Sequence, residues 1–182
     1  DAVVARADAA GIADPTGRLM SALGTLFQAK AQYARSEPLL RRALAIDEAS
    51  LGKDHPNFAR DLNNLATLLH DTNRLGAAEP LMRRALAIDE ASLGKDHPNV
   101  ARDLSNLARL LKATNRLGEA EPLMRRAVAI YLAFQRDTGH IHPNSEATIA
   151  NYTNLLRAQG KGAAGTKLAF GALRREAGLD LR

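Results

Sequence analysis

The strongest constraint on this chain is an internal repeat with a period of 42 residues. The segment Glu37–Leu44 returns as Glu79–Leu86 and again as Glu121–Val128. Residues 37–78 and 79–120 differ at 7 positions, so 35 of 42 are identical. A fixed period of this length is typical of solenoids, whose repeats bury their apolar faces by stacking on neighbours. We therefore expect an extended binding surface rather than an enclosed catalytic pocket.

Each repeat carries the pattern of two amphipathic helices. In the second repeat, apolar residues at helical spacing predict a first helix over 57–72. Asn73 favours this end because asparagine tolerates the left-handed conformation that closes helices. A second helix is predicted over 76–93, where Gly94 ends it. No segment alternates with period two over a useful length, so we predict an all-α fold.

The other copies follow the same plan, and the fourth copy is irregular. We expect one domain over residues 1–182, with repeats at about 17–56, 57–98, 99–142 and 143–178 and with 1–16 as the remnant of a preceding helix. The third His-Pro-Asn triplet follows the second by 45 residues, which places a three-residue insertion around 138–141. The last helix is predicted over 163–177. Terminal repeats are often atypical because they act as caps.

Small residues at three matching sites indicate where the helices approach closely, because only short side chains permit such contacts. The sites are Gly24/Ala66/Ala108, Ser36/Ala78/Ala120 and Ala43/Ala85/Ala127. This pattern resembles the tetratricopeptide repeat (TPR). The strings Leu62–Ala66, Glu37–Ile46 and Leu51–Asn57 resemble the 42-residue repeats of kinesin light chains and of many bacterial regulatory proteins. The resemblance implies a right-handed superhelical solenoid of about four antiparallel helix hairpins.

The resemblance also implies where a partner binds, because TPR relatives bind extended peptides along a groove lined by the first helices. Polar residues spaced three and four positions apart lie on one side of these helices and form a polar stripe. The peptide-binding residues it implies are Arg18, Arg60, Asn63, Asn64, His70, Arg102, Asn106, Arg109, Lys112, Asn151, Asn154 and Arg157. The stripe carries several cations and no acidic residue, although Asp71 borders it. Arginine forks fit carboxylates, so we expect an acidic peptide centred on the second and third repeats.

Three of these residues form an asparagine ladder, Asn64, Asn106 and Asn151, which resembles the family's clamp on a peptide backbone. An amide side chain donates and accepts at once, which suits a peptide group. Ala22 replaces the asparagine in the first repeat, so we expect the clamp to weaken toward the N-terminus. The alternative interpretation of the arginines is an ordinary solvated helix surface.

A second interpretation of the whole chain is a scaffold or oligomerisation segment of a larger bacterial-type signalling or regulatory protein. Solenoids need polar caps for solubility. Ala2, Val3 and Val4 open this chain, and such an end favours pairing with another copy as a homo-oligomer.

Other charged and titratable residues are interpreted as structural. The arginine pairs at 41–42, 83–84 and 125–126 face glutamates one turn back and indicate a solvated, ion-paired outer face. Acidic pairs such as Asp47-Glu48 are interpreted as helix-surface residues. Nucleic acid is not expected as a partner, because acids interleave with the arginines and aromatics make up only 4%. His55, His97 and His142 recur in the same turn and are interpreted as caps or loop residues.

The composition excludes several kinds of chemistry. The chain has no cysteine, so disulfides and thiolate metal sites are absent. No nucleotide-binding loop, nucleophile elbow or zinc-protease motif occurs, so we predict no enzymatic activity, catalytic residue, cofactor or metal. Apolar runs fall far short of the roughly 20 residues that span a bilayer. We therefore expect a cytoplasmic module that binds a protein or peptide.

Overall fold

The computed structural model describes residues 15–179. Over this range the chain forms eight α-helices and no strand, which confirms the all-α prediction. The helices are α1 (Pro15–Ala29), α2 (Tyr33–Leu51), α3 (Pro56–Asp71), α4 (Leu75–Leu93), α5 (Pro98–Ala113), α6 (Leu117–Thr138), α7 (Ser145–Ala158) and α8 (Ala163–Glu176). Of the remnant helix predicted over 1–16, residues 1–14 lie outside the described residues, and residues 15 and 16 belong to α1. The chain divides into two compact units, an N-terminal half over 1–93 and a C-terminal half over 94–182.

Local signals set the helix ends in the N-terminal half. The side chain of His55 caps α3 by accepting a hydrogen bond from the backbone N–H of Asn57, and Pro56 occupies the first turn. Asn73 follows α3 with a φ of 59°, as predicted from its tolerance of the left-handed region. Gly52, with a φ of 86°, follows α2 in a conformation that L side chains rarely adopt.

Close packing in the N-terminal half occurs where the predicted small residues lie. Helix α1 packs on α2, α2 on α3, and α3 on α4. A Cβ atom placed on Gly24 would lie only 2.6 Å from Cδ2 of Leu40. The hydroxyl of Ser36 donates to the carbonyl oxygen of Gly24 at 2.7 Å, which ties the two helices at the same point. An apolar core cluster between α3 and α4 consists of Phe58, Ala59, Leu62, Ala85 and Ile88, with Leu44 and Leu81 packed against it.

In the C-terminal half, α5 and α6 repeat this arrangement, and α6 is longer. Ala108, Ala120 and Ala127 are fully buried, as their predicted packing roles require. Helix α6 has 22 residues, whereas α4 has 19, and it ends at Gly139 with a φ of 72°. The three inserted residues therefore lengthen the helix ahead of the turn.

The last helix packs differently from the second helices of the other hairpins. Helix α8 contacts α6 more extensively than it contacts α7. Leu173 is buried, while Leu168 is 71% exposed and Ile149 on α7 is 36% exposed. The edge of the Phe170 ring meets Tyr152 with centroids 5.3 Å apart, so the two helices still touch. The irregular fourth repeat is thus an open hairpin.

The outer ion pairs follow the prediction in two of three cases. Arg41 pairs with Glu37 at 2.8 Å, and the equivalent pair on α4, Arg83 with Glu79, lies at 2.7 Å. In the third case Arg125 pairs with Glu176 on α8 instead of Glu121. Glu121 accepts a hydrogen bond from the hydroxyl of Tyr152 at 2.8 Å, which draws it toward α7. None of the eight helices within residues 15–179 combines the length and the hydropathy of a membrane span.

Candidate functional site

The N-terminal half presents an open concavity of about 270 Å³ between the first helices of its two hairpins. It is lined by Arg18, Ser21, Ala22, Thr25, Arg60 and Asn64. Three of the predicted site residues, Arg18, Arg60 and Asn64, are therefore brought together. Asn63 lies outside this lining and is only 2% exposed. Its repeat equivalents, Ser21 and Ser105, are also buried, but each lines a concavity in its own half of the chain.

Two buried carboxylates lie beneath this concavity. Asp47 and Asp61 are both fully buried. The guanidinium of Arg60 donates from Nε to Asp61 at 3.1 Å and from Nη2 to Asp47 at 3.4 Å. The hydroxyl of Ser21 also donates to Asp61, at 2.8 Å, and itself accepts from the amide of Asn64 at 3.1 Å. The concavity is therefore closed from below by a charge-paired network.

This network corrects the interpretation of Asp47 as a helix-surface residue. Its carboxylate is buried because a guanidinium from the following repeat reaches it. The polar stripe carries no acidic residue on its surface, yet Arg60 is paired with acids from underneath. A signal was present in the sequence: Asp61 interrupts the apolar face of α3, and an acid on an apolar face needs a buried partner.

The C-terminal half presents an equivalent concavity, also of about 270 Å³. Its lining consists of Arg102, Ser105, Asn106, Arg109, Tyr131, Asn144, Ala147, Thr148 and Asn151. Arg102 donates to the fully buried Asp103 at 2.9 Å, so its charge is partly compensated. Arg109 lies 3.5 Å from the amide oxygen of Asn106. Within residues 15–179, no carboxylate lies at ion-pair distance from Arg109.

The floors of the two concavities differ at three repeat-equivalent positions. Asp47, Arg60 and Asp61 in the N-terminal half correspond to Tyr131, Ala147 and Thr148 in the C-terminal half. In the first concavity the guanidinium of Arg60 contacts both carboxylates, so its charge is compensated from below. In the C-terminal half, Arg102 is paired with a buried carboxylate, whereas Arg109 lines the concavity without a carboxylate at ion-pair distance within residues 15–179, so Arg109 adds positive charge there.

Tyr131 forms one wall of the second concavity and is supported by two further rings that do not line it. The hydroxyl of Tyr131 donates to the carbonyl oxygen of Pro98 at 3.3 Å, and burial raises the pKa of this tyrosine. The ring of His142 stacks on Tyr131 with centroids 4.7 Å apart and planes 20° apart. The edge of Phe134 meets the same imidazole at 5.3 Å. Sequence reasoning missed this wall, because Tyr131 replaces an aspartate of the other repeats.

The remaining predicted residues lie outside both linings. His70 pairs with Asp71 at 3.3 Å, and Asp71 also accepts from Gln28 at 2.8 Å. Lys112 lies one turn beyond the lining of the second concavity, near the end of α5. Asn154 and Arg157 are exposed on α7. No group of three or more histidine or acidic residues with metal-binding geometry occurs among the described residues.

Comparisons with known proteins agree with the fold of helical hairpins. A comparison with the curated protein sequences found no match. Among solved structures, the nearly identical TPR-like repeats of a protein described as a kinesin light chain from Podosopora anserina superpose with a TM-score of 0.72 at 23% identity, covering 93% of this chain and 79% of that chain. BtubC (BKLC) from P. vanneervenii superposes with a TM-score of 0.72 at 20% identity, covering 87% of this chain and 62% of that chain.

A variant of the Podosopora anserina repeats with one substitution superposes with a TM-score of 0.59 at 20% identity, covering 87% of this chain and 92% of that chain. These likenesses show the fold. The tetratricopeptide repeat family model matches residues 15–91 and 63–133, which together span more than half of the sequence. Repeats of this family mediate protein–protein interaction. The chain belongs to the tetratricopeptide repeat family.

Proposed function

We propose that this chain captures an extended, acidic segment of another protein in the concavity of its C-terminal half. The observation that carries the proposal is Arg109, whose guanidinium borders the concavity without a carboxylate partner among the described residues. The N-terminal concavity is a poorer site for an acid, because Asp47 and Asp61 already compensate Arg60.

The lining contains residues suited to bind the peptide backbone and a residue suited to bind a peptide side chain. Asn106 on α5 and Asn151 on α7 lie on opposite sides of the concavity. Their amides can donate to a peptide carbonyl and accept from a peptide N–H. Arg109 offers a forked donor to one carboxylate of the bound segment. A hydrogen bond to a charged group contributes about 1.5–3 kcal/mol, so this contact decides affinity by roughly 10- to 100-fold.

The test substitutes Arg109→Thr, because the equivalent residue of the second repeat is Thr67 and this exchange already occurs in the fold. A glutamate-containing peptide selected from an array is compared with its glutamine counterpart by calorimetry. We expect about a tenfold loss for the glutamate peptide and little change for the glutamine peptide. Arg42→Thr, on the exposed face of α2, is the matched control. Equal losses for both peptides, or binding that is insensitive to salt, would sink the proposal.

A second candidate function is oligomerisation through the solenoid end. Leu19, Leu23 and Leu26 on α1 are 60%, 37% and 48% exposed. The equivalents of the last two, Leu65 and Leu68, are buried at 2% and 0%. Apolar residues at buried repeat positions favour a covering helix, and a second copy would supply one. The apolar residues Ala2, Val3 and Val4, predicted to pair in this way, lie outside the described residues.

Light scattering over a concentration series separates the two functions. A dimer that dissociates on dilution and is lost in Leu23→Glu supports oligomerisation. Arg18→Glu, on a more polar side of the same helix, is the control and should leave that dimer intact. A monomer at every concentration removes the second candidate and leaves peptide capture.

A further inference from the structure

The three His-Pro-Asn turns share one hydrogen bond, in which the histidine is the acceptor. The pairs are Asn57 N to His55 Nδ1 at 3.1 Å, Asn99 N to His97 Nδ1 at 3.1 Å and Asn144 N to His142 Nδ1 at 3.2 Å. We call this bond the histidine clasp. A neutral imidazole has one nitrogen free to accept, whereas both nitrogens of an imidazolium are donors. The clasp therefore exists only while its histidine is neutral.

The clasp of His142 differs from the others because it supports the wall of the C-terminal concavity. Its ring stacks on Tyr131, and its hydrogen-bond donor is Asn144; both residues line the concavity. Within the described part of the chain, no aromatic ring contacts His55 or His97. Losing the clasp at His142 thus disturbs two lining residues, whereas losing it at His55 disturbs only a helix cap.

We propose that His142 is a positioning residue for the peptide site and that its protonation opens the wall formed by Tyr131 and Asn144, so that bound peptide is released in mild acid. An imidazolium would direct an N–H toward the N–H of Asn144, so the turn must separate. The peptide part of this inference rests on the proposed function. The opening of the clasp does not depend on it.

The surroundings of His142 determine when the clasp opens. Burial lowers the pKa of His142 from its ordinary value of 6.5, and the charge on His97 lowers it further. Other titratable and charged groups of this region are His140 in the same turn, Tyr131 on α6, and Arg102, Asp103 and Arg109 on α5. The charges of Arg102 and Asp103 act on Tyr131, and Arg109 lines the same concavity. The transition therefore lies below pH 6.5. Because the folded-state pKa is below the unfolded one, protonation also removes stability as the pH falls through this range.

Two effects of protonation act on an acidic peptide with opposite signs. An added positive charge near Arg109 would strengthen binding, whereas an opened wall weakens it. If the wall is competent only with a neutral imidazole, the apparent affinity falls about tenfold one pH unit below the pKa of His142. Glutamate side chains of the peptide titrate near about 4.3, which is below this window. The direction of the change therefore identifies the mechanism.

The first experiment uses the chain without peptide. NMR titration from about pH 7.5 to 5.0, a range that brackets the ordinary histidine pKa, follows the ring protons of His142 and the backbone amides of Asn57, Asn99 and Asn144. We expect the Asn144 amide to shift with the midpoint of the His142 ring, and the Tyr131 ring signals to change with it. An Asn144 amide that ignores the titration of His142 overturns the inference.

The second experiment measures binding of the glutamate peptide at the two ends of the same pH range. His142→Asn removes the titrating ring together with its stacking on Tyr131, so it should bind more weakly at the neutral end, and the affinity that it keeps should no longer change between the two ends of the pH range. His55→Asn, the same change in the N-terminal half, should leave the acid dependence unchanged. Tighter binding of the unsubstituted chain in acid contradicts the inference. If no peptide binds at the neutral end, the proposed function fails, and the NMR titration alone judges the clasp.

Discussion

The contact between Gly24 and Leu40 predicts a strong coupling between these two residues. A methyl group on Gly24 would lie 2.6 Å from Cδ2 and 2.7 Å from Cγ of Leu40, closer than real carbon contacts. Leu40 is fully buried and cannot move aside freely. The other two repeats have Ala66 with Met82 and Ala108 with Met124 at these positions. Where alanine replaces glycine, the partner is therefore methionine, whose unbranched side chain is flexible.

The magnitude for Gly24→Ala follows from two opposing terms. Overpacking a filled core costs about 1–3 kcal/mol. Alanine gains up to about 1 kcal/mol over glycine in a helix interior. We expect a net destabilisation of about 1–2 kcal/mol. Leu40→Met alone conserves volume and should cost less than about 1.5 kcal/mol. The double variant recreates the alanine–methionine pair and should recover most of the loss.

The unsubstituted chain, the two single variants and the double variant form a double-mutant cycle. Urea denaturation of these four proteins measures the coupling between positions 24 and 40, and amide exchange in α1 and α2 shows where stability changes. We expect an interaction energy of about 1–3 kcal/mol in favour of the double variant, as is typical of residues in contact. If Gly24→Ala is as stable as the unsubstituted chain and the coupling is near zero, helix propensity alone governs the site. That result would refute the packing argument.

Three further changes test other parts of the N-terminal half. Ala31 has a φ of 55°, where the next repeat has Asn73, so Ala31→Gly should raise the free energy of unfolding by about 0.5–1 kcal/mol in thermal denaturation. Asp61→Ala removes the carboxylate that accepts from the guanidinium of Arg60 and the hydroxyl of Ser21. It should lower the free energy of unfolding by about 2–4 kcal/mol in urea denaturation, and Asp61→Asn should lower it less. The hydrogen bond from Arg74 lowers the pKa of Glu37 below its ordinary value of 4.5. The stabilisation from this pair is therefore lost as the pH falls through the lowered pKa. In urea denaturation at a series of pH values, Glu37→Gln should lack this loss of stability in acid.

The helices and their ends were predictable because local chemistry determines them. Asn73 and Gly139 adopt left-handed conformations after their helices, and such residues are recognisable in sequence. The small sites were predictable for a related reason. A repeated glycine or alanine between large apolar residues marks a close contact, and Gly24 meets Leu40 where the pattern requires.

The buried carboxylates were not predictable in the same way, because their burial depends on contacts between repeats. In the sequence, Asp47 precedes a glutamate on α2 and resembles a surface residue. Its burial depends on a contact with Arg60, which lies thirteen positions later in the chain. The open fourth hairpin has a similar origin. Leu168 is a large apolar residue that stays exposed because α8 packs mainly on α6, and no local pattern in α8 specifies that choice.

The concerted replacement of three floor residues explains how a nearly uniform repeat can contain one distinctive site. A buried ion pair costs desolvation, and removing one partner leaves an uncompensated buried charge that is strongly destabilising. A site could therefore not arise in the second concavity by losing an arginine alone. Tyr131, Ala147 and Thr148 replace both acids and the arginine together, so no buried charge is left unpaired at these positions. Arg109 then adds a cation to a concavity whose floor has fewer acids. Stability and the proposed recognition are thus separated: the positions that repeat unchanged hold the hairpins together, while the charge that we propose selects a partner depends on positions where the repeats differ.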